Sequence, residues 1–420
     1  MDDPADLTST NWLPRHAEQP VARALADTRI VAIVGPRQSG KTTLARRIAA
    51  TDGRAFISLD DEHALQFARE DSAGFLRRYD FAVIDELQRA PNLILPLKKS
   101  VDENRRPGRY LVTGSADLFG TASAPDSLLG RIEMIELLPF SQAEIRRAPP
   151  PGFLSRAFAG DFPNWQPTGF SGNLTAMIIA GGYPEILAAK NNRRRQKLLA
   201  WAAQAARHDL PELGQLRKMP ETLSDFIKAA AAASGQMANM ARLAAAADID
   251  RKSARNWLLL LERMFLLQRV RSWQRNSARS LVKTPKVHFL DSAMLAALQD
   301  ASPARLAAER NRIGCLLEAF VFAELRKAQP HCPLSLRIYH YRDQDGYEVD
   351  FVLEADDGRT VGIEVKAAVG ASPRDFRGLR RLAEQIGDRF VCGILLHDGE
   401  RIFKTGERMF AMPVKMLWEA

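Results

Sequence analysis

Cysteine is scarce in this chain. Cys315, Cys332 and Cys392 are the only three in 420 residues, and they are scattered without metal-ligand spacing, which argues against a disulfide framework or a zinc site. Long apolar runs are also lacking. Met177-Ile178-Ile179-Ala180 falls far short of the ~20 residues that cross a bilayer. The opening residues, Met1-Asp2-Asp3-Pro4-Ala5-Asp6, are acidic and polar, unlike a signal peptide. These absences lead us to expect a cytoplasmic protein with no membrane partner. No internal repeat is evident. What is present is an apolar fraction of 46%, enough for sizeable cores, in a length suited to two or three domains. The net charge of +9 favours polyanionic partners.

The most specific signal is Gly35-Pro36-Arg37-Gln38-Ser39-Gly40-Lys41-Thr42, which fills every position of the phosphate-loop pattern G-x-x-x-x-G-K-[ST]. The apolar run Ile30–Val34 precedes it and a helix-compatible stretch from Thr43 follows, which is the strand–loop–helix setting the pattern requires. Backbone N–H groups of such a loop converge on phosphate oxygens, and the helix N-terminus adds positive potential. Lys41 is expected to reach the β- and γ-phosphates and the Thr42 hydroxyl to ligate Mg²⁺, with Thr43 beside them. ATP and Mg²⁺ are the implied cofactors.

From Ile30 to Phe140, short β-branched runs alternate with helical stretches, as in a parallel sheet flanked by helices. The expected strands are 30–34, 55–59, 81–84, 110–113 and 132–137. A Pro/Gly-rich stretch at 148–173 reads as a linker or long loop. Residues 174–300 read as mostly helical, and 301–420 as a helix leading into strands. The fold class is therefore α/β, with an ATPase domain over 1–147.

Phe81-Ala82-Val83-Ile84 ends in Asp85-Glu86. An Asp there can hold Mg²⁺ and the adjacent Glu can polarise the attacking water. The next strand ends Thr113-Gly114-Ser115, placing hydroxyls near the γ-phosphate. Arg131 is a candidate for stabilising charge in the transition state, acting within its own chain or on a neighbour.

Gly35–Leu44, Ser58-Leu59-Asp60-Asp61, Ile84–Pro91, Thr113-Gly114-Ser115 and Leu129-Gly130-Arg131 together resemble a prokaryotic family of AAA-type ATP-binding proteins related to the STAND-like ATPases. Gly181-Gly182-Tyr183-Pro184-Glu185 and Thr284-Pro285-Lys286-Val287-His288-Phe289-Leu290-Asp291 extend the resemblance over nearly the whole chain. It implies an AAA core, a winged-helix unit and a C-terminal α/β fold like that of restriction endonucleases.

In the middle segment, Met240–Ala247, a turn at Asp248-Ile249-Asp250, and Arg251–Leu261 read as helix–turn–helix, with Asp250 as N-cap. Ala254, Trp257, Leu258 and Leu261 share one face. Arg251, Lys252, Arg255 and Asn256 share another, suited to DNA. The basic stretch 268–275 reads as a wing.

Near the C-terminus, the alternating runs 347–353 and 360–367 flank Asp356-Asp357-Gly358 and read as a hairpin. A two-residue turn mixes charged and apolar faces. A three-residue loop with left-handed Gly358 instead sets Asp350 opposite Glu364 and gathers Asp350, Glu364 and Lys366 on one face. Glu318, on a helix over 312–326, has only apolar or glycine neighbours three and four residues away, so it points at a packed face and needs a partner. Glu318, Asp350 and Glu364-Val365-Lys366 resemble the PD-(D/E)xK nuclease signature, although Val349 stands where that signature has proline. The resemblance implies Mg²⁺ or Mn²⁺ on the three acids, with Lys366 steadying the attacking water or developing charge.

Three functions follow as alternatives. One is an ATPase coupled to a DNA-binding, nucleolytic C-terminal half. Another is a nucleotide-dependent scaffold whose inactive nuclease-like fold binds protein partners. The third is a helix–turn–helix transcriptional regulator.

Overall fold

A computed structural model describes residues 13–114, 128–160, 162, 165, 172–214, 219–274 and 284–419; Ser115 and part of the expected wing lie outside them. The chain forms two compact units, residues 1–140 with 263–265, and residues 141–262 with 266–420.

The first unit is built on five parallel strands: β1 (Ile30–Val34), β2 (Ala55–Ser58), β3 (Ala82–Asp85), β4 (Tyr110–Gly114) and β5 (Ile132–Glu136). Their spatial order is β2-β3-β4-β1-β5. Every residue of β1 is buried. Its alternating side chains divide between two cores, Ile30, Ala32 and Val34 joining one, Val31 and Ile33 the other. A strand apolar on both faces needs cover on both. Helices α1 (Glu18–Asp27), α2 (Lys41–Asp52), α3 (Glu62–Glu70), α4 (Ser72–Arg78) and α5 (Ile94–Glu103) contribute to those cores. The strand order inserts β4 between the strand that feeds the phosphate loop and the strand that ends in Asp85.

In the second unit, α6 (Pro220–Ala232), α7 (Met240–Ala246) and α8 (Arg251–Arg263) are followed by an antiparallel pair, β6 (Leu267–Val270) and β7 (Lys286–Phe289). Isolated bridges join Ser234 to Val287 and Met237 to Lys286. Asp250 caps α8 by accepting from the N–H groups of Lys252 and Ser253, at 2.8 and 2.9 Å. Ala254, Trp257, Leu258 and Leu261 are buried, while Arg251, Lys252, Arg255 and Asn256 are exposed.

The long helix α9 (Ile313–Ala328) leads to a six-stranded mixed sheet. Its strands are β8 (Leu336–Arg342), β9 (Glu348–Ala355), β10 (Thr360–Lys366), β11 (Phe390–His397), β12 (Phe403–Gly406) and β13 (Met409–Pro413), in the order β12-β13-β11-β10-β9-β8. Helix α10 (Arg377–Ile386) buries Leu379, Leu382 and Ile386 in the core that also holds Val349 and Val352. The β9–β10 hairpin pairs Ile363 with Phe351 and Val361 with Leu353. Its turn, Asp356-Asp357-Gly358, has Gly358 at φ +82°, so the three-residue loop forms, and the same register continued by one residue sets Asp350 opposite Glu364.

Residues 174–300 and 301–420, read as separate segments, both lie in the second compact unit. The stretch read as a linker contains a helix, Phe153–Ala159, whose Phe153, Leu154, Ala157 and Phe158 are buried. Those four apolar residues recur at helical spacing, and the carbonyl of Ala157 accepts from the Cys392 thiol on β11. The flanking prolines concealed an amphipathic turn.

Candidate functional site

The loop after β1 is shaped by residues that tolerate unusual backbone. Gly40, directly before α2, has φ +95°, and Gln38 has φ +62°. A side chain at Gly35 would lie 2.3 Å from the Leu137 carbonyl oxygen, so only glycine fits there. Arg15 braces the loop: its guanidinium donates to the carbonyls of Ser39 (2.7 Å) and Leu138 (2.6 Å) and stacks 4.4 Å from the Phe140 ring centre. No motif in the sequence announces Arg15, because its partners are remote in the chain.

Lys41 opens α2, and its ammonium donates to the carbonyls of Gly35 (3.0 Å) and Pro36 (2.8 Å). Burial lowers its pKa to about 8, although Glu86 and Asp85 favour the charged form. Arg37 and Thr43 are exposed, whereas Ser39 is buried.

Asp85 ends β3 and is the hub of the site. It accepts from Thr42 (3.0 Å) and from Thr113 (2.6 Å) on one carboxylate oxygen, and from Ser58 (3.3 Å) on the other. Thr113 also receives the backbone N–H of Glu86 at 3.1 Å. Glu86 has φ +60°, rare for a residue with a side chain, and its carboxylate accepts from Gln88. Four strand ends and the first turn of α2 therefore bring a lysine, two carboxylates and three hydroxyls to one sheet edge. A hydroxyl and a carboxylate in contact fit a hard, oxygen-seeking cation such as Mg²⁺.

Arg131 is not at this edge. Ile30 N–H donates to its carbonyl at the amino end of β1, roughly 15 Å along a five-residue strand from the loop. Its guanidinium grips Asp102 on α5 through two bonds of 2.7 and 2.9 Å. The transition-state role expected of Arg131 therefore cannot apply to nucleotide held by its own chain.

In the second unit the hairpin and α9 bring Glu318, Asp350, Glu364 and Lys366 together, and a residue that sequence reasoning left unassigned joins them. The ammonium of Lys286, the first residue of β7, lies 3.1 Å from Glu318, 3.1 Å from Asp350 and 2.5 Å from Glu348. Its side chain is 2% exposed. Burial opposes the charge, but Asp350, Glu318 and Glu348 together raise the Lys286 pKa well above its ordinary value. Asp350 also accepts from Val365 N–H at 3.0 Å, and Lys366 pairs with Glu364 at 3.2 Å. Burial, then the proximity of Asp350, raises Glu318 to about 8 and Glu364 well above the carboxylic range. His288 is held well below its usual value by burial and by Lys286. Among the described residues, no group of three or more His, Cys, Asp or Glu side chains is arranged to hold a metal ion. Two of the three acids expected to hold a metal, Glu318 and Asp350, thus contact a lysine instead.

The two late motifs of the sequence meet each other. Asp291 is buried, caps the helix Ser292–Leu298 through Met294 N–H (3.0 Å), and accepts from Gly182 N–H at 2.8 Å. Gly181 has φ +62°, and a side chain there would lie 2.6 Å from Asp291. Through these contacts the two motifs tie one part of the second unit to another. None of the described helices is long and apolar enough to cross a membrane.

Residues 27–146 match the AAA domain family, 171–305 a domain of unknown function (DUF8612), and 313–417 another (DUF4143). Uncharacterized proteins of Mycobacterium bovis and Mycobacterium tuberculosis are each 27% identical over 412 residues, covering 96% of this chain and 84% of theirs. A shikimate kinase of Psychrobacter cryohalolentis is 38% identical over 73 residues, 16% of this chain and 39% of that one. A Walker-type ATPase of Pyrococcus abyssi aligns over 69% of this chain and 96% of its own, at 14% identity and a TM-score of 0.43. Residues 27–146 form an AAA-type, P-loop ATPase-like domain.

Proposed function

We propose that this chain binds Mg-ATP at Gly35–Thr42, hydrolyses it with water activated by Glu86, and links that cycle to a second unit that contacts DNA. The observation that carries the first part is the hydrogen-bonded line from Thr42 through Asp85 and Thr113 to the Glu86 N–H, inside a match to the AAA domain family. Thr42 and Asp85 would hold Mg²⁺, which when bound offsets charge on the phosphates. Lys41 leaves the carbonyls of Gly35 and Pro36 to bind phosphate oxygens. Glu86, held by Gln88, accepts the proton of the attacking water. Arg131 is proposed only as a contact to nucleotide bound by a neighbouring copy.

The order α6, α7, α8, β6, β7 supports a winged-helix reading, and the exposed face of Arg251, Lys252, Arg255 and Asn256 supports DNA as its partner. Glu318 on a helix beside Asp350 and Glu364–Lys366 on paired strands supports a nuclease-like reading of the mixed sheet. Lys286 among those acids favours a fold that binds rather than cuts.

The test is the Mg-ATP hydrolysis rate with and without double-stranded DNA. The expected result is acceleration by DNA, no turnover in Lys41→Ala, and intact DNA at the end. A rate indifferent to DNA would remove the coupling and leave protein partners as the alternative.

A further inference from the structure

We propose that Lys286 is a built-in cation: its ammonium stands where a nuclease-like site would take a divalent metal, and it keeps that metal out. The inference rests on the nuclease-like reading only for the expectation that a metal belongs there, and it is independent of ATP hydrolysis.

Three observations carry it. The first is geometric. One ammonium contacts carboxylates from three positions, Glu318 on α9 and Glu348 and Asp350 on β9, at 3.1, 2.5 and 3.1 Å. A metal held by Glu318 and Asp350 would have to occupy the volume the ammonium fills. The second is burial. The Lys286 side chain is 2% exposed, and its strand β7 is pinned by four paired residues of β6 and by bridges to Ser234 and Met237. The site closes further at Gly235, φ +75°, where an added side-chain carbon would lie 3.0 Å from Glu318 Oε2. The third is the approach. A cavity of about 590 Å³ reaches Lys286 and Glu348, and Arg242 and Arg342 also line it. Arg242 and Arg342 outnumber Glu348 along this approach, which disfavours an incoming divalent ion.

This lysine also explains why a helix–turn–helix segment and a nuclease-like sheet pack as one compact unit. Lys286 begins the strand that closes the first, and its charge is neutralised only by the second. An unpaired ammonium left buried is strongly unfavourable, so the two parts are held together by ion pairing as well as by apolar contact.

The experiment is a titration of the full-length protein with Mn²⁺ alone, followed by electron paramagnetic resonance. Parent, Asp350→Asn, Lys286→Met and the double variant Lys286→Met/Asp350→Asn are compared. Expected is the same Mn²⁺ uptake in parent and Asp350→Asn. Lys286→Met should gain a site at least tenfold tighter, which the added Asp350→Asn removes. Loss of a Mn²⁺ from the parent on Asp350→Asn overturns the inference while leaving the nuclease-like reading intact. A folded Lys286→Met that gains no site overturns both. Because Lys286→Met leaves acids unpaired and its folding is at risk, Lys286→Met/Glu318→Gln is melted beside it. The second substitution should raise the melting temperature of the first, and no rise would count against the inference.

Discussion

Lys286 and Asp350 are 64 residues apart in the chain and 3.1 Å apart in the fold. That contact changes the meaning of a carboxylate cluster that resembled a metal site. Oxygen-rich clusters bind divalent ions when their charge is uncompensated. Here compensation comes from within the chain, on a strand whose sequence gave no hint of its destination. At the phosphate loop the opposite holds: Asp85 is met by neutral hydroxyls, and a cation can still be added.

Thr113 holds the two carboxylate residues of the ATPase edge in register. It donates to Asp85 and accepts from the Glu86 N–H. Thr113→Val keeps the shape and removes both bonds. The expected cost is about 1–3 kcal/mol of stability, with a turnover number about 10- to 100-fold lower and ATP affinity nearly unchanged. Paired measurements of kcat and nucleotide Kd check this.

Lys41 gives a pH dependence with a definite sign. In the free protein burial brings its pKa to about 8, against an ordinary 10.5. Between those values the unfolded chain binds more protons than the folded one, so the contribution of Lys41 to stability rises with pH in that window. Phosphate oxygens beside the ammonium push its pKa back up. Nucleotide binding at pH 8.5 should therefore take up protons, seen by calorimetry in buffers of differing ionisation enthalpy. Proton release on binding would count against the placement of Lys41.

Much of this architecture was legible locally and some was not. The five strands of the first unit appear within one or two residues of their expected ends, because β-branched runs bounded by turns are a short-range signal. The Asp350–Glu364 register followed from face alternation and the turn at Gly358, also short-range. Lys286, Arg15 and the Arg131–Asp102 pair were not legible, since each depends on partners brought near only by the complete sheet. The helix at 153–159 was hidden by prolines that flank it without entering it.

Arg15 is the residue whose role the structure adds to the loop. Arg15→Ala leaves the carbonyls of Ser39 and Leu138 without their donor. A destabilisation of about 2 kcal/mol is expected, together with nucleotide affinity several-fold weaker. Arg15→Lys should not restore it, because one ammonium cannot span both carbonyls and also stack on Phe140. Thermal melts and nucleotide titrations decide the point.

Arg251 and Arg255 are exposed on α8, so their replacement should leave folding intact. Arg251→Ala with Arg255→Ala is expected to weaken DNA binding and to reduce the slope of log K against log salt by about 1 for each lost phosphate contact. An unchanged affinity and slope would assign this face to solvent or to a protein partner.

The most direct test of the account is Mg-ATP turnover by Glu86→Gln beside the parent protein. In the proposed mechanism Glu86 takes the proton of the attacking water, and glutamine keeps the shape while removing the base. ATP binding is expected within about twofold of the parent and turnover reduced at least ~100-fold, a loss of the size general-base catalysis supplies. Hydrolysis at the parent rate in Glu86→Gln would contradict it.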